Sequence, residues 1–210
     1  MKKVLLTAFE AHAPRYTYSA QSVADTLHGT QEGKIHIYSR LIEETLFNSI
    51  EAVCLAMTDY KPDVIIMMGE STGQSLITLE RIAHNFNEEK GDSIHDTTNE
   101  MNANNAKNTL TSMSGPVAYA SQLPIQRMLN EMREKGVPVS ISDSNGAVYG
   151  NHVFYGVLHY LAIHQLSIPS GWINLPMLPQ KAALPEYIGQ PSMSLHTCVE
   201  GVKFAIKASM

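Results

Sequence analysis

Cysteine is nearly missing from the chain: it occurs only at positions 54 and 198 of 210. Both fall in helical apolar patterns far apart in sequence. That excludes a disulfide framework and fits a reducing, cytoplasmic setting. A basic excess is also missing. Lys and Arg number 15 against 20 Asp and Glu, a formal charge of −5 with a pI near 6.0. A nucleic-acid partner, which needs a concentrated basic face, is not expected. No apolar run approaches the ~20 residues of a membrane span, so no membrane partner is expected either. The opening MKKVLLTAFEAH starts like a secretory signal but meets Glu10 after a short apolar stretch, and it reads better as a strand. Tight ligand spacings such as HExxH or CxxC are absent, so neither metal nor cofactor is expected. There is no internal repeat and no domain linker.

Apolar residues make up 44% and charged residues 17%, an ordinary globular mixture for one domain spanning 1–210. Val4–Phe9, Ile35–Leu41, Asp63–Gly69, Val137–Ser142 and Gly171–Leu175 read as strands. The run DVIIMMG is apolar throughout, as in a strand buried on both faces. Helical spacing marks Thr17–Leu27, Glu44–Tyr60, Ser121–Lys135, Asn151–Gln165 and Ser194–Ala208, with Ser121 as a candidate N-cap. Gln74–Ala83 reads as extended, Ser144-Asn145-Gly146 as a turn and Pro176–Pro191 as a loop. Asn85–Ser114 is an asparagine-rich insertion with almost no large apolar residue, open to reading as a pocket lid or as inert surface. Alternation of strand and helix predicts an α/β fold. Ligands in such sheets sit at the carboxyl ends of strands, which brings forward His12, Glu70, Asp143, Asn145 and Asn174. Glu80 stands among Ile77, Leu79 and Ile82, where a carboxylate needs partners or a shifted pKa.

Four segments resemble the pyroglutamyl peptidase I family, cysteine peptidases that remove N-terminal pyroglutamate. They are LLTAFEAH near the start, ITLERIAHNFNE (77–88), SNGAVYGNHVFYGVL (144–158) and GWINLPMLPQ (171–180). The resemblance runs in order over nearly the whole chain. It implies a three-layer α/β/α sandwich with a mostly parallel sheet, and it implies a homodimer or homotetramer. It places Glu80 at the catalytic glutamate. Gly150 stands where the family has its cysteine, and Asn174 where it has its histidine. Phe9 matches the first of two phenylalanines that clamp the pyrrolidone ring, His12 stands at the second, and Glu70 stands where glutamine is usual. Asn151 and His152 fall at scaffold positions.

Glycine carries no nucleophile, and asparagine accepts no proton near neutral pH. A cysteine-peptidase mechanism is therefore not expected, and a pyroglutamyl-naphthylamide assay is expected to be flat. The expectation is a repurposed enzyme acting on a small amide or amino-acid derivative by cyclisation, elimination or hydrolysis. Glu80 would serve as acid/base. The helix start at Gly150 would hold an oxygen. Phe9, His12, Glu70, Asp143 and Asn174 would bind the small-molecule ligand. The alternative is a non-catalytic binding or regulatory protein using the same pocket.

Overall fold

Runs such as VLLTAF and VIIMMG carry apolar side chains on both faces, so their strands need helices above and below. The computed structural model describes residues 1–11, 17–46, 48–88, 107–143 and 148–210 and supplies both layers. In chain order the elements are β1 (Lys2–Phe9), α1 (Ser19–Leu27), β2 (Gln31–Glu32), β3 (Ile35–Ile42), α2 (Ser49–Tyr60), β4 (Val64–Ser71), β5 (Ile77–Glu80) and β6 (Ile82–His84). There follow β7 (Asn87–Glu88), β8 (Lys107–Thr109), β9 (Ala118–Ala120), α3 (Ile125–Glu134), β10 (Val139–Ser142) and α4 (Val148–Ile163). The chain closes with β11 (Ser170–Pro176), α5 (Pro179–Ala182) and α6 (Leu195–Ala208).

A seven-stranded sheet runs in the order β10-β5-β11-β4-β1-β3-β2. Its neighbours are parallel except for β2 against β3 and β5 against β11. Alternate residues of each strand face opposite layers. Leu6, Ile66, Leu79 and Ile173 pack against α1, α3 and α6. Leu5, Met67 and Trp172 pack against α2 and α4. The arrangement is the α/β/α sandwich with a mostly parallel sheet.

Several boundaries differ from the sequence reading, for local reasons. The second helix starts at Ser49, and Glu44 lies outside it, its carboxylate accepting from the Tyr18 hydroxyl at 3.1 Å. The third starts at Ile125 with Pro124 at the cap position, so Ser121 is not its N-cap. Ser194 does cap α6, accepting from the Thr197 backbone N–H at 3.1 Å. Extended Gln74–Ala83 is two strands, β5 and β6, parted at Arg81. The flanks of the polar insertion are paired strands, β7 with β8 and β6 with β9. Asn85 ties them further, exchanging hydrogen bonds with Ser112 at 2.7 and 2.9 Å. Residues 89–106 of the 85–114 insertion read as a lid or inert surface, and the turn at 144–146, lie outside the described residues.

Candidate active site

The antiparallel insertion of β5 beside β11 builds the site. Register sets Thr78 opposite Asn174 and Glu80 opposite Trp172. With a period of two, all four side chains emerge on the face covered by α2 and α4. Gly69 stands beside Asn174 across the β11–β4 pairing. A Cβ at Gly69 would fall 2.7 Å from Trp172 Cζ2 and 3.0 Å from Asn174 Oδ1, so only glycine lets those side chains lie down on the strand.

Glu80 is 1% exposed. Its Oε1 accepts from Asn174 Nδ2 at 2.8 Å and from the Thr78 hydroxyl at 3.0 Å. Asn174 is held in turn, its Oδ1 accepting from the Trp172 indole N–H at 2.6 Å. Glu80 Oε2 is buried with no partner of hydrogen-bond geometry among the described residues. Burial pushes the Glu80 carboxyl above its ordinary value. The Ser142, Thr78 and Asn174 side chains oppose the shift, and the charge of Asp143 adds to it. The group is a candidate general base, with Oε1 held by two hydrogen bonds and Oε2 held by none of full geometry among the described residues.

Phe9 and Trp172 stand with ring centroids 5.9 Å apart, tilted by 47°. They border a cavity of about 220 Å³ whose wall also includes Tyr18, Glu44, Gly69, Glu70 and Lys181. Glu70 is saturated. Its Oε1 accepts from Lys181 Nζ at 2.5 Å, and its Oε2 from the Ser19 backbone N–H at 2.7 Å. Both members of that ion pair are buried. Glu70 thus pins the start of α1 and the short α5 to the end of β4.

The other sequence candidates separate. Gly150 is buried in the first turn of α4, where N–H groups lack intrahelical partners. Asp143 is exposed and paired with Arg81 at 3.0 Å. Both β10 and β5 run against β11, so the carboxyl end of β10 points away from those of β1, β4 and β11. Asp143 is thereby set apart from Phe9 and Glu70 but stays near Glu80, which pairs with Ser142 across β10–β5 and feels the Asp143 charge. His12 lies outside the described residues. Asn151 is scaffold: it accepts from the His84 N–H at 2.9 Å and donates to the His84 and Phe86 carbonyls at 2.8 and 2.9 Å. His152 is buried and bonds the Thr111 hydroxyl at 3.1 Å.

Sequence reasoning passed over Trp172, Thr78, Tyr18, Glu44 and Lys181. A period-two reading of β11 would have put Trp172 with Asn174. Nothing local marks Glu44 or Lys181, which meet the cavity only through tertiary packing. Neither thiol is poised as a nucleophile. Cys198 is buried in the core on the opposite face of the sheet. Burial pushes its pKa up to about 12, with the Glu70 charge adding. Cys54, on α2, is pushed up to about 11 by burial and the Glu51 charge. Among the described residues no group of three or more His, Cys, Asp or Glu is placed to hold a metal ion.

Comparisons with known proteins agree along the full length. A family model described as pyroglutamyl peptidase matches residues 2–210. A pyrrolidone-carboxylate peptidase of Mycobacterium bovis is 39% identical over 210 residues, covering 100% of this chain and 93% of that protein. One from Bacillus cytotoxicus is 34% identical, covering 100% and 94%. Among solved structures, the pyroglutamyl peptidase I of Bacillus amyloliquefaciens superposes with a TM-score of 0.86 at 29% identity, covering 99% of this chain and 94% of that one. These findings overturn the expectation of a repurposed small-molecule enzyme or a non-catalytic binding protein: relatives at 34–39% identity over the whole chain are named peptidases.

Proposed function

Because the chain belongs to the pyroglutamyl peptidase family, we propose that it is a peptidase for peptides whose first residue is pyrrolidone carboxylate, and that it cuts with a water molecule activated by Glu80. The observation that carries this reading is the division of labour within Glu80. Oε1 is fixed by Asn174 and Thr78, while the buried Oε2 makes no contact of full hydrogen-bond geometry among the described residues, the Ser142 hydroxyl acting on the carboxyl from nearby. The raised pKa makes the carboxylate a better base than an exposed one. The family resemblance sets Gly150 at the position of the nucleophilic cysteine, and a glycine there would leave room for a water. Phe9 and Trp172 offer flat apolar walls for the five-membered ring.

In this reading the water oxygen adds to the scissile carbonyl carbon as its proton passes to Glu80 Oε2. The N–H groups of the first turn of α4, which have no intrahelical acceptor, would receive the oxyanion. The C–N bond then breaks, the proton held by Glu80 goes to the departing amine, and the carboxylate is restored. The products are pyroglutamate and the shortened peptide. Two free thiols fit a cytoplasmic location. Among the described residues no helix is long and apolar enough to cross a membrane.

The test is hydrolysis of pyroglutamyl-7-amido-4-methylcoumarin. The chain should release the fluorophore above the buffer rate, and Glu80→Gln should lose about 10²- to 10⁴-fold in kcat. A flat trace for the unaltered chain, or full activity in Glu80→Gln, overturns the reading.

A further inference from the structure

Hydrogen-bond chemistry decides which end of the Asn174 amide faces Glu80. The Trp172 indole N–H is a donor and nothing else, so the amide atom 2.6 Å from it is the oxygen, Oδ1. That leaves Nδ2 toward Glu80, where it donates to Oε1 at 2.8 Å. Trp172, Asn174 and Glu80 are all buried, and the β5–β11 register sets them side by side. Gly69 lets the indole and the amide lie together, since a Cβ there would fall 2.7 Å from the ring and 3.0 Å from Oδ1.

An asparagine amide has two useful orientations. Turned one way it donates to a carboxylate; turned over, it accepts from a carboxylic acid O–H. The first orientation favours the ionised form of Glu80 and the second the protonated form. With the indole in place, the turned-over amide would set its NH2 against an N–H, two donors facing each other in a buried site. We propose that Trp172 is a positioning residue: its indole N–H locks Asn174 in the donating orientation and so keeps Glu80 ready to take a proton. This deepens the peptidase reading, on which it rests for its link to catalysis, and gives Trp172 a part beyond walling the cavity. Burial works the other way on Glu80, and the Asn174, Thr78 and Ser142 side chains oppose it. The charge that acts on Glu80 is that of Asp143 at the end of β10, which adds to burial and is itself paired with Arg81. A change confined to the indole N–H leaves that pair in place.

Trp172 is the single tryptophan of the chain. The experiment replaces it by β-(3-benzothienyl)alanine, which keeps the ring shape and puts sulfur where the N–H stood. The full chain carries 13C at its glutamate carboxyls, and the Glu80 signal is the one missing from Glu80→Gln. In the sulfur analogue that signal should titrate at higher pH, the ionisation equilibrium changing at least about tenfold, as loss of a charge-assisted hydrogen bond implies. Trp172→Phe, which also lacks the N–H, should shift it the same way and serves if the analogue does not fold. In Asn174→Ala the sulfur replacement should add less than about twofold, because Trp172 acts through the amide. In hydrolysis of pyroglutamyl-7-amido-4-methylcoumarin, the acid limb of kcat should move up in pH with the signal, while KM stays within about twofold. An unmoved or lowered titration, an equal shift in the Asn174→Ala background, an acid limb that stays in place, or a loss confined to KM overturns the proposal. A shifted titration in a chain that releases no fluorophore would defeat the peptidase reading alone. Fluorophore release with an unmoved titration would defeat this inference alone.

Discussion

Among the described residues Glu80 is buried without a cation beside it, and its ionisation works against the fold. Burial raises the folded-state pKa above the ordinary 4.5. Below the unfolded value both states are protonated and nothing is lost. As pH rises through the folded value, the unfolded chain releases its proton more readily and stability falls. Glu80→Gln, a mimic of the neutral acid, should therefore gain stability over the unaltered chain as pH climbs above about 4.5. Urea denaturation from pH 4 to 8 checks this; parallel curves would show that Glu80 carries no ionisation penalty. At this scale the sequence made Glu80 and Asn174 legible, because a carboxylate in an apolar run and a polar residue at a strand end both demand partners. They turned out to be each other's partners. Glu44 and Lys181 were illegible: a glutamate before a helix and a lysine in a proline-rich loop look like solvated surface until the chain is folded.

Strands β4, β11 and β5 act together at the scale of elements, and Gly69 is where they are tightest. Gly69→Ala puts a methyl group 2.7 Å from the Trp172 ring and 3.0 Å from Asn174 Oδ1. Trp172 is 2% exposed and hydrogen-bonded, so it has little room to yield. The variant should lose about 1–3 kcal/mol of stability, as overpacked cores do, and shift the Trp172 emission. Denaturation followed by fluorescence reads both; unchanged values would mean the strands slide freely at this crossing. Periodicity gave the strands and most helices, since burial on one or two faces leaves a local imprint. Strand direction leaves none. The reversal of β5 and β10 against β11 is set by how distant segments pack. That reversal moved Asp143 to an exposed pairing with Arg81. The cap expected at Ser121 failed because Pro124 stands at the cap position of α3, and the cap the structure does show, Ser194 on α6, was not singled out from the sequence.

Across the whole molecule, a two-sided core keeps the site and the thiols apart. The face under α1, α3 and α6 encloses Cys198, and Cys54 packs from α2 at the edge of the other face. The four family-like segments are spread from residue 5 to residue 180, and their order alone indicated the sandwich. Activity was less legible than fold. The loss of sulfur at 150 and imidazole at 174 suggested a departure from peptidase chemistry, whereas whole-chain similarity to named peptidases points back to it. A carboxylate-activated water reconciles the two observations. The most direct measurement is the hydrolysis of pyroglutamyl-7-amido-4-methylcoumarin by the cysteine-free double variant Cys54→Ala/Cys198→Ala. The account predicts a rate within about threefold of the unaltered chain, because neither thiol, with pKa values of about 11 and about 12, takes part. Loss of hydrolysis in a folded cysteine-free protein would contradict it.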